Sequence, residues 1–110
     1  SVLFTGIQKA LIETRNIKTE FLQAHAEGWE AVVENACSIS WETITEICGV
    51  SQAEIEAAAT IIANASCVVF GWAMGITQHQ NGVDNVYSIG NTALISGNIG
   101  REGAGVMPVR

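Results

Sequence analysis

Residues 71–110, GWAMGITQHQNGVDNVYSIGNTALISGNIGREGAGVMPVR, concentrate the side chains able to hold or transform a ligand. An apolar run ends in a Gly-broken turn carrying Met74, Gly75, Gln78 and His79, and a Gly-rich tract later ends on Arg110. Gly71 and Gly75 allow backbone to approach a flat ligand closely. Gln78 both donates and accepts hydrogen bonds, as the lactam edge of a heterocycle requires, and Met74 offers an adaptable apolar contact. In open α/β folds, cofactors bind in the crevice beyond the carboxyl ends of the strands, the place this turn is expected to occupy. An ordinary strand-to-helix turn with a core Met fits the same residues, since position in a fold does not establish function.

The Gly-rich tract also has two readings. Gly97, Gly100, Gly103 and Gly105 follow a helix rather than opening one, so they do not make the GxGxxG dinucleotide fingerprint, and an NAD site is disfavoured. A flexible linker has this composition too. Yet 105–110, GVMPVR, is more structured, with Pro108 stiffening the approach to Arg110. Arg101 and Arg110 are the only cations after Lys18, so a bound anion is expected in this tract.

Other reactive types carry less. His79 has no carboxylate or second His at metal-ligand spacing, and His25 is expected as a helix-end or surface residue. Cys37, Cys48 and Cys67 form no CxxC pair, so no disulfide framework, zinc site or iron–sulfur set is encoded, and each is expected as a small buried hydrophobe. Glu30/Glu34 and Glu42/Glu46 lie one helical turn apart, the ordinary pattern of a solvated acidic face. Trp29, Trp41 and Trp72 are expected in the core, with Trp72 nearest any ligand.

Helices come first among the elements that position the tract. Val2, Phe4, Ile7, Leu11 and Ile12 recur near helical spacing, a short helix covers 20–25 before Gly28, and Trp29, Val32 and Val33 continue as another turn or two. Ser40 caps a helix whose Trp41, Ile44 and Ile47 share a face and whose end is Gly49. Ser51 and Glu54 form a capping box that opens an Ala-rich helix to about Asn64. The period then changes: 67–70, CVVF, reads as a buried parallel strand reaching about residue 71, in an αβα layer. A helix over 83–96 turns Val86, Ile89, Ala93 and Leu94 inward and ends at Gly97, and an extended loop follows from Asn98. One strand cannot make a sheet, so the remaining strands are expected from sequence outside these residues or from another chain.

Composition bounds the class. At 110 residues with 48% hydrophobic and 15% charged side chains, the chain has the make-up of a folded unit. Its longest central apolar stretch, 67–76, falls short of the roughly 18 residues a membrane span needs. A net charge of −6, with no Lys or Arg between Lys18 and Arg101, disfavours nucleic-acid and membrane partners. A reducing cytoplasm is the expected setting. The chain begins with Ser and stops after the Gly-rich loop, and we expect a piece of a larger subunit.

The order of these features resembles the molybdopterin oxidoreductase family, most closely its formate dehydrogenase branch. The resemblance spans nearly the whole chain, because FLQAHAEGWEAV (21–32) and WETITEICGVSQAEIEAAATIIANA (41–65) also look like the family's lead-in to this tract. It implies a single fragment, 1–110, of a catalytic domain: a helical lead-in over 1–65, then strand, cofactor turn, helix and Gly-rich active-site loop over 66–110. The implied fold is α/β, mostly helical with a short parallel strand at about 67–71, part of a Rossmann-like αβα domain. The implied cofactors are bis-molybdopterin guanine dinucleotide with molybdenum or tungsten, held here by Met74, Gly75 and Gln78, and an iron–sulfur cluster elsewhere in the parent. Arg110 matches the Arg that orients the substrate carboxylate, so formate is the implied substrate. The remainder of the subunit and electron-transfer subunits are the implied partners. The metal-ligating Cys or selenocysteine and the cluster cysteines are expected outside this sequence, which alone should be inactive.

Glu102 stands where the family commonly has Pro, and a His after Gln78 also occurs in related nitrate reductases, whereas GNIGREGAGV looks more like the formate branch. The competing readings are a nitrate-reductase-type oxidoreductase, a cofactor-free acidic helical interaction module, and a binding domain for another nucleotide.

Overall fold

A computed structural model describes residues 2–77, 82–100 and 102–109. Five helices lead: α1 (Val2–Glu13), α2 (Thr19–His25), α3 (Trp29–Ser38), α4 (Trp41–Cys48) and α5 (Gln52–Asn64). Strand β1 (Val69–Trp72), the one-turn helix α6 (Met74–Thr77), helix α7 (Gly82–Ile95) and strand β2 (Gly105–Pro108) follow.

Helix α1 is the element the others close around. Seven consecutive residues, Thr5 to Leu11, are buried, so the middle of the helix is covered on every side. Ile7, Ala10 and Leu11 form one core with Ile44 of α4 and Ile55 and Ala59 of α5. Gly6 permits the close approach: a Cβ there would stand 3.0 Å from Ile44 Cγ2 and 3.2 Å from two carbons of Ile55. Three polar residues, Thr5, Gln8 and Lys9, are buried on the same helix. The Lys9 ammonium donates to the carbonyl of Cys37 at 3.4 Å and lies 3.8 Å from Glu13 Oε2. Its charge thus meets the negative end of α3 as well as a carboxylate. The Gln8 amide donates to Thr92 Oγ1 at 3.0 Å and to the Ser88 carbonyl at 3.2 Å, joining α1 to α7.

The caps behave as their residue types dictate. Ser40 Oγ accepts from the Thr43 amide and Ser51 Oγ from the Glu54 amide, each at 3.2 Å, and Gly49 closes α4 in the left-handed region at φ 72°. Glu54 completes its box differently from the expected backbone bond, accepting from the Ser51 hydroxyl at 3.1 Å. His25 ends α2, exposed, with its ring 5.3 Å from that of Phe21.

A second strand revises the sequence reading. The strand expected at about 67–71 runs Val69–Trp72, and its partner lies within this chain, in the tail expected as a loop. The pairing is parallel, with Phe70 opposite Val106 and Trp72 opposite Pro108. Pro108 has no N–H, and it is Val109 that donates to the Trp72 carbonyl, at 2.7 Å. Strand, helix and strand therefore form a βαβ unit. Val68, Phe70 and Trp72 alternate onto one face and pack in a second cluster with Ile89 and Ala93 of α7, while Phe4 and Ile62 touch both clusters.

Three core expectations are also revised. Ile47 is 64% exposed, and Cys48 takes the inward place on α4. Cys37 and Cys67 are exposed: Ala36 holds the buried position of α3, turning Cys37 outward, and Cys67 precedes the strand at the border of the Gly-rich tract. Trp29, Trp41 and Trp72 are only half-buried, and the Trp41 indole N–H donates to Glu13 Oε1 at 2.9 Å. No helix among the described residues is long and apolar enough to cross a membrane.

The Gly6 contact is testable. Gly6→Val forces a branched side chain against Ile44 and Ile55 and should lower stability by about 1–3 kcal/mol, read as a shifted midpoint in chemical denaturation. An unchanged midpoint would mean that α1 does not seat this closely.

Candidate functional site

The amino end of β1 is tied down first. The Val68 amide donates to Asn98 Oδ1 at 3.0 Å, and the Val68 carbonyl accepts from the Gly105 amide at 3.2 Å, the first rung toward β2. The Gly-rich tract is held against the same point. The Cys67 thiol donates to the Glu102 carbonyl at 3.3 Å, and a Cβ on Gly103, which lies at φ 82°, would stand 3.2 Å from Cys67 Sγ. The tract is therefore held against the strand at Glu102 and Gly103. A cavity of about 220 Å³ lies at this end, lined by Lys18, Ser66, Ser96 and Asn98 among others. The carboxyl-terminal ends of α5 and α7 border it, so Lys18 is the favourable charge there.

At the carboxyl end, Trp72 is followed by Ala73 and α6. The Ile76 amide bonds back to the Ala73 carbonyl at 3.1 Å, and the Asn85 side chain of α7 donates to the Ile76 carbonyl at 3.3 Å. This short helix presents two of the four residues expected to carry function. Met74 is 58% exposed, and a Cβ on Gly75 would meet nothing within 4 Å. Gly71 differs: its missing Cβ would face Met107, 3.7 Å from the carbonyl oxygen and 4.0 Å from Cε. Both are ordinary van der Waals distances, so the strand pair would admit a methyl group at this exposed position.

Gln78 and Arg110, the other two expected site residues, lie outside the described residues, as do His79 and Arg101. Their neighbours are described. Thr77 ends α6, and Val109 is bonded to Trp72, two residues before Met74. The parallel pairing thus brings the chain entering Arg110 beside the chain entering the Met74 turn. Among the described residues no group of three His, Cys, Asp or Glu side chains could hold a metal ion. An open apolar hollow of about 410 Å³ lies on α7, lined by Gly82, Val83, Val86 and Tyr87, and does not include Met74 or Gly75.

Sequence reasoning missed β2 and Asn98. The spacing of strand, helix and apolar GVMPV was a signal for the first. For Asn98 there was none beyond its place after a helix-ending Gly.

No protein-family model matches the chain. It is 37% identical over 108 residues to the F420-dependent formate dehydrogenase subunit alpha of Methanocaldococcus jannaschii, covering 98% of this chain and 16% of that protein. Formate dehydrogenase H of Escherichia coli (strain K12) is 34% identical over 108 residues, with 98% and 15% covered. Protein YdeP of the same strain is 34% identical over 118 residues, with 98% and 16% covered. The chain therefore spans less than a fifth of the length of these relatives.

Gly103→Ala should cost about 1–2 kcal/mol from the left-handed backbone alone. In denaturation experiments the loss should shrink when Cys67→Ala is also present, because the thiol no longer opposes the new methyl group. An equal loss in both backgrounds would remove Cys67 as the neighbour that demands Gly.

Proposed function

The chain belongs to the family of the formate dehydrogenases and their related oxidoreductases, and on that premise we propose that it builds one wall of the cofactor and substrate site of a molybdenum- or tungsten-dependent enzyme. The whole protein, on this reading, holds bis-molybdopterin guanine dinucleotide and oxidises formate to carbon dioxide. One proton and two electrons are released, and the electrons pass to an iron–sulfur chain. The observation that carries the reading is the exit of the Met74 turn and the Arg110 approach from the same end of one parallel strand pair.

The described residues fit such a group. Met74 is exposed and the space over Gly75 is open among the described residues, as a planar heterocycle needs. Gln78, next after α6, supplies an amide with both donor and acceptor for a pterin's lactam edge. The sheet itself supports a larger αβα layer. Val69, Met107 and Val109, on the face turned away from α7, are 53%, 53% and 49% exposed, whereas parallel sheets are ordinarily covered on both faces. We assign that cover to further sequence of the same Rossmann-like domain. The unpaired cysteines go with a cytoplasmic setting.

Arg110 supplies the substrate contact. Its guanidinium is planar and permanently charged, and it would hold the formate carboxylate through two parallel N–H···O bonds. That grip leaves the C–H bond as the only free direction of the molecule, so the bond to be broken is oriented before reaction. When bound, the metal–pterin group supplies the two-electron acceptor. Met74 and the Gly75 backbone would form the face on which that group rests.

Elemental analysis of the whole protein, made in a host able to build the cofactor, should find near-stoichiometric molybdenum or tungsten together with iron. Arg110→Lys keeps the charge and loses the fork, so kcat/KM for formate should fall about 10–100-fold at unchanged metal content. Absence of both metals would sink the enzyme reading, and full metal without formate oxidation would sink the substrate.

A further inference from the structure

A line of buried polar side chains runs along α7 from α1 to the start of the sheet. The Gln8 amide donates to Thr92 Oγ1 at 3.0 Å. The Thr92 carbonyl accepts from Ser96 Oγ at 2.8 Å, Ser96 Oγ accepts from Asn98 Nδ2 at 2.9 Å, and Asn98 Oδ1 accepts from the Val68 amide at 3.0 Å. All four side chains are 5% exposed or less, a placement that hydrophobic burial alone disfavours. Their geometry, not their area, is what they contribute.

We propose that Asn98 is a positioning residue for the strand-end site: it locks the start of β1 to the end of α7 and thereby sets where the Met74 turn and the Arg110 approach lie. This rests on the reading of those strand ends as the site. One planar amide meets two opposite demands at short reach, accepting from Val68 and donating to Ser96, which Asp, Leu or Ala cannot do. Its own amide also donates to the Ala93 carbonyl at 2.8 Å, so the backbone that carries the side chain is held by the helix it follows. Val68 is the leverage point, because the same residue gives its carbonyl to Gly105. Releasing the half-buried Val68 amide removes its partner at Asn98 and loosens the first rung between β1 and β2. The four-residue strands then transmit that freedom to both exits.

The test compares Asn98→Ala and Asn98→Asp with Ile44→Val, a core change remote from the sheet, by amide hydrogen exchange and formate kinetics on the whole protein. Asn98→Ala should speed exchange over 69–72 and 105–109 about tenfold beyond Ile44→Val, with α1 and α5 little changed. Asn98→Asp, which keeps the acceptor facing Val68, should fall between wild type and Asn98→Ala. KM for formate should rise about tenfold in Asn98→Ala when rates are expressed per bound metal. Exchange that rises evenly along the chain, as after Ile44→Val, overturns the positioning role. Local loosening with an unchanged KM overturns its link to the site. Wild-type protein that does not oxidise formate fails the functional reading instead, and the exchange pattern still decides whether Asn98 holds the strands.

Discussion

Parallel pairing of β1 with β2 is the constraint from which the geometry of the site follows. Parallel strands end on the same side, so the turn after Trp72 and the residues after Pro108 leave the sheet together. An antiparallel arrangement of the same strands would separate the two exits by a strand length, about 13 Å at roughly 3.3 Å per residue. Parallel strands also require a long crossover, which α6, α7 and the Gly-rich tract supply. The pairing is only four residues long, so hydrogen bonds within the sheet are too few to hold it unaided.

The helical half supplies what the strands lack. Phe70 and Trp72 lie over α7, and Phe4 and Ile62 reach from the α1–α5 core to the same cluster. Apolar contact of this kind stabilises without specifying a register, because it is non-directional. The run from Gln8 to Asn98 adds direction at the one place where slippage would move both exits. Gly103 and the Cys67 thiol repeat that logic on the tract leading into β2, where a side chain on the glycine would push the loop outward.

Much of the helical half was readable from residue type. Ser40, Gly49 and Ser51 marked boundaries through backbone chemistry that depends on two or three neighbouring residues, and the structure has them as caps. The helix after the turn was readable for the same reason, with Gly97 at φ 76° past its end; of the four residues expected inward, Ile89 and Ala93 are buried, whereas Val86 and Leu94 are half-buried. Strand β2 was missed, since four glycines and a proline read as a loop and outweighed the spacing of strand, helix and apolar GVMPV; pairing with a distant segment makes GVMP extended. Ile47 was misplaced because a helix of eight residues has room for few inward positions, and Cys48 fills one. The place of Met74 and Gly75 just beyond a strand was legible from the apolar run before them, whereas Asn98 bonds to partners at 68 and 96 that no local pattern joins.

Charge separates the two halves as well. Glu20, Glu27, Glu30, Glu34, Glu42, Glu46, Glu54 and Glu56 are all exposed and lie along α2 to α5, while the sheet is built of uncharged residues. Such a surface does not draw a small anion from a distance; it weakly repels one. On the proposed reading, affinity for formate arises from short-range contact where water is excluded, the regime in which two N–H···O bonds contribute most. Contact of that kind needs donor and acceptor at roughly 2.7–2.9 Å with both forks aligned. A charge that acts by long-range attraction could sit on a mobile loop, but the proposed contact needs a fixed approach, and the bond from Val109 to Trp72 holds the residue before Arg110 against β1.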